Sequence, residues 1–361
     1  MRPAHALFFL ILSYILQFPS ERPAKTSQRV LHPATTETIQ DLDPSPLRLP
    51  GMASPSPTVD APTPSASVST RPTPSPSQTP GPSSPVDTID YLNDGLHGAE
   101  RHQYRTLQSF SEVVDKYTPE FLLKNPSQHV VFSDVTTAQL KKIEGRRHRY
   151  HKGLRFFHLK NENVLIVKTM PGAAQEIAHL TFDEIFAIKK LRMGLLCQLL
   201  PEGSIKYIGS TGTKEADRAH RPVSSHHRTD WPTVVYECGF SQSLARLVVD
   251  AHWWLETTGG EVKIAIIITI DSPARKLHLE KWEGVSRPNS QVTQANPNAS
   301  AIMAMKICEV DIFGTDVRGA PLELQFEKVM NRKPGNRREG DFVFTSQDFE
   351  SYARAVWGVL E

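Results

Sequence analysis

Cysteine is nearly absent from this 361-residue chain. The three present, Cys197, Cys238 and Cys308, lie far apart, which excludes a zinc site built from C-x-x-C pairs and a closed disulfide framework. Long apolar runs are missing too: none reaches 18 residues, and the mean hydropathy is −0.35. That excludes a multi-pass membrane protein, and no stable membrane insertion is expected. Neither sign of charge dominates, with 41 Lys and Arg against 39 Asp and Glu, so the global balance alone points to no nucleic-acid partner. Proline is scarce over most of the chain: seventeen of the 28 fall in residues 1–86 and eleven serve the other 275. Proline removes backbone donors and breaks helices and central strands. The first 86 residues therefore cannot build an ordinary core, whereas the rest is long enough to do so.

The start of the chain, Ala6–Phe18, is apolar and follows Arg2. This matches the h-region of a signal peptide and is too short for an ordinary spanning helix, although no small-x-small cleavage site follows it. Residues 1–20 read either as a signal peptide or as a chance apolar start. The chain is secreted in the first case and nuclear or cytoplasmic in the second. The single glycosylation sequon, Asn298-Ala299-Ser300, goes with secretion. Residues 21–86 are rich in Pro, Ser and Thr, as in Pro72-Thr73-Pro74-Ser75-Pro76. They bury too little apolar surface to offset their ordering entropy, and read as a disordered, partly polyproline linker. Such a stalk would be O-glycosylated on a secreted protein.

From residue 87 to 361 the pattern is that of a single α/β domain. Apolar periodicity predicts helices over Thr106–Leu123, Thr137–Gly145, Ala173–Met193 and Gln242–Thr257, and from Ser346 onward. Strands are predicted at His129–Phe132, Ser204–Ile208, Pro232–Cys238, Val262–Ile270, Lys276–Trp282, Ile302–Ile312 and Leu322–Val329. Leu154–Leu159 and Val164–Lys168 read as a hairpin. The stretch from Gly209 to Arg221 reads as a polar loop. Val262–Ile270 is almost wholly apolar and should be a central strand covered on both faces. The strand–helix–strand run ending there predicts a parallel crossover. The fold class is α/β (α+β), a mixed central sheet flanked by helices.

Two acids stand out in the run from Ala173 to Ile270. Asp217 lies in Thr213-Lys214-Glu215-Ala216-Asp217, and Glu237 near the end of a predicted strand, in Val234-Val235-Tyr236-Glu237-Cys238-Gly239. A carboxylate inside an apolar strand is costly to bury unless it is paired or metal-bound. The run from Trp231-Pro232-Thr233 through Glu237, Ser241-Gln242-Ser243-Leu244 and Asp250-Ala251-His252-Trp253-Trp254-Leu255 resembles uncharacterised fungal proteins with a PD-(D/E)XK nuclease-like core. The likeness covers roughly Ala173–Trp282 and implies a restriction-endonuclease-like core. It also implies Mg²⁺ held by Asp217 and Glu237, with Glu176 as an additional acidic ligand. Hydrolysis of a phosphodiester needs stabilised negative charge and an activated water, both of which Mg²⁺ supplies. The pattern departs from that family at two places. Ala216 stands where the proline would be, and Gly239 where the lysine would be. Some members carry the basic residue on the following helix, which makes Arg246 the catalytic candidate, with Gln242 as a polar helper. Lys263 begins the next parallel strand, at the sheet end opposite Glu237, and is set aside.

A basic segment carries Lys141, Lys142, Arg146, Arg147, Arg149, Lys152 and Arg155 against a single acid, Glu144, with Tyr150, Phe156 and Phe157 interleaved. This density of cations suits phosphate contacts, and the aromatics suit base stacking. A solvated face beside a hairpin has the same appearance. His220, His226 and His227 match no zinc spacing and read as part of the polar loop. Trp253 and Trp254 read as packing residues, and Cys238 as a buried strand cysteine. Two functions follow. One is a Mg²⁺-dependent phosphodiesterase acting on nucleic acid, or a degenerate relative of one. The other is a non-catalytic nucleic-acid-binding or interaction module on the same fold.

Overall fold

Alternating apolar strands build two large sheets, and the helices cover them. The computed structural model describes residues 89–117, 127–150, 153–169, 173–203, 205–224, 230–288 and 300–360, all in one unit spanning Gly81–Glu361. The expectations for residues 1–20 and 21–86 lie outside the described residues, as do Lys152, His226 and His227.

The first sheet has six strands. They are β1 (Glu100–Gln103), β2 (His129–Ser133), β3 (Leu154–Leu159), β4 (Val164–Thr169), β6 (Lys206–Ile208) and β7 (Gly212–Glu215), in the order β1-β2-β4-β3-β7-β6. Helices α1 (Leu107–Val114) and α2 (Thr137–Tyr150) belong to its outer core, where Phe110, Val114, Leu140 and Ile143 pack with Val130, Phe132, Phe156, Leu165 and Val167. A capping box, with the Thr106 and Ser109 side chains each accepting from the other's backbone N–H, starts α1. Helix α1 is shorter than predicted, and residues 118–126 lie outside the description. Helix α2 runs further than predicted, because its basic second half is good helix-forming sequence.

The second sheet has seven strands. They are β5 (Leu199–Glu202), β8 (Arg218–Pro222), β9 (Val234–Phe240), β10 (Ile264–Asp271), β11 (Lys276–Pro288), β12 (Ser300–Phe313) and β13 (Asp316–Arg318), in the order β13-β12-β11-β10-β9-β8-β5. Strands β9 and β10 are parallel and joined through α4 (Leu244–Glu256), as the crossover reading required; the other pairings are antiparallel. Strand β10 is buried on both faces. Ile264, Ile266, Ile268 and Ile270 join one core, and Ala265 and Ile267 the other. The first of these cores contains Ala174, Ala178, Phe182 and Phe186 of α3 (Ala173–Met193), spaced four apart. It also contains Phe349, Tyr352, Ala353, Val356 and Trp357 of α6 (Ser346–Leu360). A two-stranded sheet, β14 (Leu322–Leu324) with β15 (Phe342–Phe344), completes that layer. Between β14 and β15 lies α5 (Phe326–Met330), where a strand was predicted through Val329. The fold is mixed α/β, its sheets flanked by helices. Among the described residues no helix is long and apolar enough to cross a membrane.

The predicted polar loop at Gly209–Arg221 is instead two strands, β7 and β8. Its charges made it look solvated, yet they are buried in pairs. The Arg221 guanidinium meets Glu202 at 2.8 Å, the Arg218 guanidinium meets Asp183, and His220, fully buried, meets Asp183 at 2.7 Å. Strand β7 belongs to the six-stranded sheet and β8 to the seven-stranded one. The connector between them is only Ala216-Asp217, so Asp217 sits where the chain passes from one sheet to the other.

Candidate functional site between the two sheets

Strand alternation places each side chain of the site. In β9, Val234, Tyr236 and Cys238 join the α3 core, while Val235 and Glu237 point the other way, toward the six-stranded sheet. In β4, Leu165 and Val167 pack outward with α1 and α2, while Ile166 and Lys168 point inward. The register of β2, β4 and β3 sets His129, Lys168 and Arg155 side by side in one row; one row along, Lys214 of β7 is level with Phe157. Basic groups of one sheet therefore face the acids of the other.

Asp217 and Glu237 converge. The Lys168 ammonium donates to Asp217 Oδ2 at 2.6 Å and to Glu237 Oε2 at 3.0 Å. The Cys238 backbone N–H donates to Asp217 Oδ2 at 2.7 Å, and the Trp254 indole N–H donates to Glu237 Oε1 at 2.7 Å. Lys214 reaches Glu237 Oε1 at 3.4 Å and Asp250 Oδ1 at 3.1 Å. Arg155 lies 3.5 Å from Asp217 Oδ1, which accepts no hydrogen bond. Both carboxylates are 1% exposed.

Burial raises the pKa of both acids, and their neighbours then separate them. At Asp217 the charges of Lys168 and Arg155, with the Lys168 and Cys238 hydrogen bonds, overcome burial and hold the carboxyl below its ordinary value. At Glu237 burial prevails over Lys214 and Lys168, Asp217 and Asp250 add to it, and the carboxyl is raised. Burial pushes Lys168 down, but Asp217, Glu237 and Asp250 outweigh it and keep the ammonium protonated. A pair of acids with diverging affinities for a proton is the arrangement from which acid and base roles are drawn.

The other predicted residues fall in several places. Arg246 is buried but does not touch the pair. Its Nε lies 3.3 Å from Asp250, and its Nη1 donates to the carbonyls of Tyr91 and Asp94 at 2.8 and 3.1 Å. The cation at the acidic pair is thus Lys168 rather than Arg246. Gln242 is exposed in the 3₁₀ turn Ser241–Ser243 that precedes α4. Glu176 is exposed on α3, while its neighbour Gln175 is buried with its amide on Gln128. Lys263 donates to the carbonyl of Gly260, and with Ile267 level with Glu237 it lies four residues away along β10. Of the basic segment, Lys141, Lys142 and Arg146 are exposed on α2, where Arg147 and Arg149 follow. Arg155 leaves that group for the acidic site. Trp254 does more than pack, since it holds Glu237.

Sequence reasoning missed Lys168, Lys214 and Asp250. A signal existed for Lys168. In the hairpin strand Val164-Leu165-Ile166-Val167-Lys168 the lysine occupies a core-facing position, where a charge needs a partner. The position two after Glu237 is tightly packed. A Cβ on Gly239 would lie 3.1 Å from Leu247 Cδ1 and 3.3 Å from Gln128 Oε1.

The pair offers carboxylate oxygens to a cation, and the Lys168 ammonium lies between them. Two carboxylate oxygens lie within 3.0 Å of one ammonium, and Asp217 Oδ1 lacks a donor. Oxygen donors of this kind suit Mg²⁺. A second cluster with ligand spacing, His278, Glu280 and Glu309, has its oxygens and nitrogen within 4.8 Å of one another. There Lys306 donates to both glutamates, and His278 lies between Asp311 and Glu280.

No family model matches the chain, and no curated protein matches it. Among solved structures it is similar to a candidate nuclease belonging to DUF820 from Anabaena variabilis. The identity is 9%, over 55% of this chain and 90% of that one, with a TM-score of 0.30.

Proposed function

We propose that this chain is a metal-dependent phosphodiesterase of the PD-(D/E)XK type acting on nucleic acid. In this reading Lys168, reaching in from the other sheet, takes the part of the lysine missing at residue 239. The observation that carries the reading is a single ammonium in contact with both Asp217 and Glu237. These two carboxylates would hold Mg²⁺, which when bound supplies charge stabilisation and an acidified water. The chain's own groups do the rest. Trp254 and the Cys238 N–H fix the two carboxylates. Lys168 and Arg155 place positive charge where a phosphoryl group gains negative charge. Lys141, Lys142 and Arg146 on the exposed face of α2 offer phosphate contacts outside the site.

One observation favours a second reading, a non-catalytic binding module. Lys168 fills the gap between the carboxylates, and four bases (Arg155, Lys168, Lys214, Arg246) balance four buried acids (Glu215, Asp217, Glu237, Asp250). Such a module binds nucleic acid with a steep salt dependence and does not cut it.

The test uses the full chain with DNA and RNA substrates in Mg²⁺ or Mn²⁺. Cleavage that falls by about two orders of magnitude or more in Glu237→Gln and in Lys168→Met, both checked for folding, supports the enzyme. A folded wild-type protein that cuts neither polymer with either metal leaves the binding module. Absence of salt-dependent binding removes both.

A further inference from the structure

Helix α3 is apolar on two opposite sides. Ala174, Ala178, Phe182 and Phe186 face the core beneath it. At 3.6 residues per turn, Leu180, Glu184, Ile188 and Leu191 fall in one stripe on the other side. All four are exposed, and the three apolar ones are 42%, 45% and 56% accessible. Leu196, just past the helix end, is 46% accessible. A single exposed leucine needs no explanation. A stripe about three turns long does, because the solvent side of a surface helix is ordinarily polar. Among the described residues none covers it.

Its charges say what does. Glu184 lies within the stripe and Arg192 beside its C-terminal end, both exposed. They stand at equal spacing on either side of Ile188. A second copy of α3, laid antiparallel across a twofold axis at Ile188, therefore sets Glu184 of each copy level with Arg192 of the other. Ile188 meets its own counterpart, and Leu180 comes level with Leu196 of the second copy. A parallel pair would set Glu184 against Glu184, a repulsion. The antiparallel pair also opposes the two helix dipoles favourably. Such a contact is self-complementary and closes at two copies.

We infer that this face of α3 is the contact between two copies of the chain, paired antiparallel about Ile188. Four half-exposed apolar side chains and one ion pair from each copy make a contact of roughly 1,000 Å² in total, the small end for a specific interface. The dimer is therefore reversible, with a dissociation constant on the order of micromolar. The pairing stands whether or not the chain cuts nucleic acid.

The experiment is analytical ultracentrifugation of the full chain over roughly 0.5–100 μM, which brackets that constant. The wild type is expected to pass from monomer to dimer. Ile188→Asp and Leu191→Asp, both at exposed positions, should weaken association about tenfold or more. Ile208→Asp, at a more exposed apolar residue on β6, should leave it unchanged. Exchanging the charges tests the pairing itself. Glu184→Arg should weaken the dimer, and adding Arg192→Glu should restore it. Thermal unfolding of each variant checks its fold. A wild type that stays monomeric throughout, or a dimer that Ile188→Asp and Leu191→Asp both leave intact, overturns the inference. A dimer weakened by Ile188→Asp but not restored by the charge exchange overturns the antiparallel pairing.

Discussion

Two polar clusters share the seven-stranded sheet, one at β9 on the side facing the six-stranded sheet and one on the β11–β12 pair. The register of β11 and β12 sets His278 opposite Asp311 and Glu280 opposite Glu309. Ligand-like spacing there follows from strand pairing itself, because facing residues on an antiparallel pair have neighbouring Cβ atoms. Lys276, Lys306 and the Trp282 indole satisfy those groups, and Glu309 stays about half exposed. The site at Asp217 and Glu237 has fewer ligand-type groups at ligand distance, yet its groups are almost wholly buried and four of its polar atoms, Asp217 Oδ1, Asp250 Oδ1 and Arg246 Nε and Nη2, accept or donate no hydrogen bond. The difference lies in burial and in unused bonding capacity. Spacing of ligand types marks the first cluster, whereas the second has charges that nothing outside it could screen.

Several measurements would break or sharpen that contrast. The largest effect is expected from Glu237→Ala, which strips a partner from Lys168, Lys214 and Trp254. Removing one member of a buried charge set typically costs about 3–5 kcal/mol, which denaturant unfolding would show. If the loss is under about 1 kcal/mol, the network is not the tightly coupled unit described. Asp250→Asn comes next, because Lys214 and Arg246 both rest on that carboxylate, whose pKa Lys214 and Arg246 hold near about 2 against the opposing effect of burial. A loss of about 2–3 kcal/mol is expected. It should shrink when Lys214→Gln is added, since contacting residues couple in a double-mutant cycle.

The third effect depends on pH. Burial, opposed by Asp250 and reinforced by Arg246, Lys168 and Lys214, lowers His129 from 6.5 to about 3. Below pH 6.5 the unfolded chain takes up a proton that the folded chain refuses. This group's contribution is therefore intact above 6.5 and is lost progressively as pH falls toward 3. His129→Gln should flatten the dependence of unfolding free energy on pH by about 1.4 kcal/mol per unit in that window. An unchanged slope would mean that His179 and His220, also lowered by burial, account for it. The smallest effect belongs to the other cluster. Glu309→Gln, half exposed, should change stability by no more than about 0.5 kcal/mol, and a loss above 2 would erase the distinction between the two regions.

Much of the framework was legible in the residues. The apolar run at Ile264–Asp271, the hairpin around Lys160–Asn163, the amphipathic α4 and α6, and the parallel crossover at β9 and β10 all follow from periodicity. So does the prominence of Glu237, a charge in an apolar strand. Strands β7 and β8 were hidden because period-two patterning needs a polar–apolar contrast. In Gly212–Pro222 the buried positions include Lys214, Glu215, Asp217, His220 and Arg221, whose partners lie far away in sequence. Lys168 was hidden for the related reason that its partners, 49 and 69 residues further on, belong to another sheet. Glu176 and Arg246 were named from the resemblance and their places on two helices. Which side of a helix meets a site depends on a packing angle that spacing does not contain.

The cramped surroundings of Gly239 bear on how this protein could be re-engineered. A lysine placed there would set its first carbon tightly against Leu247 and Gln128, which would have to give by a few tenths of an ångström. Whether a side chain is tolerated at 239 therefore turns on how far Leu247 and Gln128 can give. The packing around residue 239 thus goes with a basic group that reaches in from the other sheet, as Lys168 does.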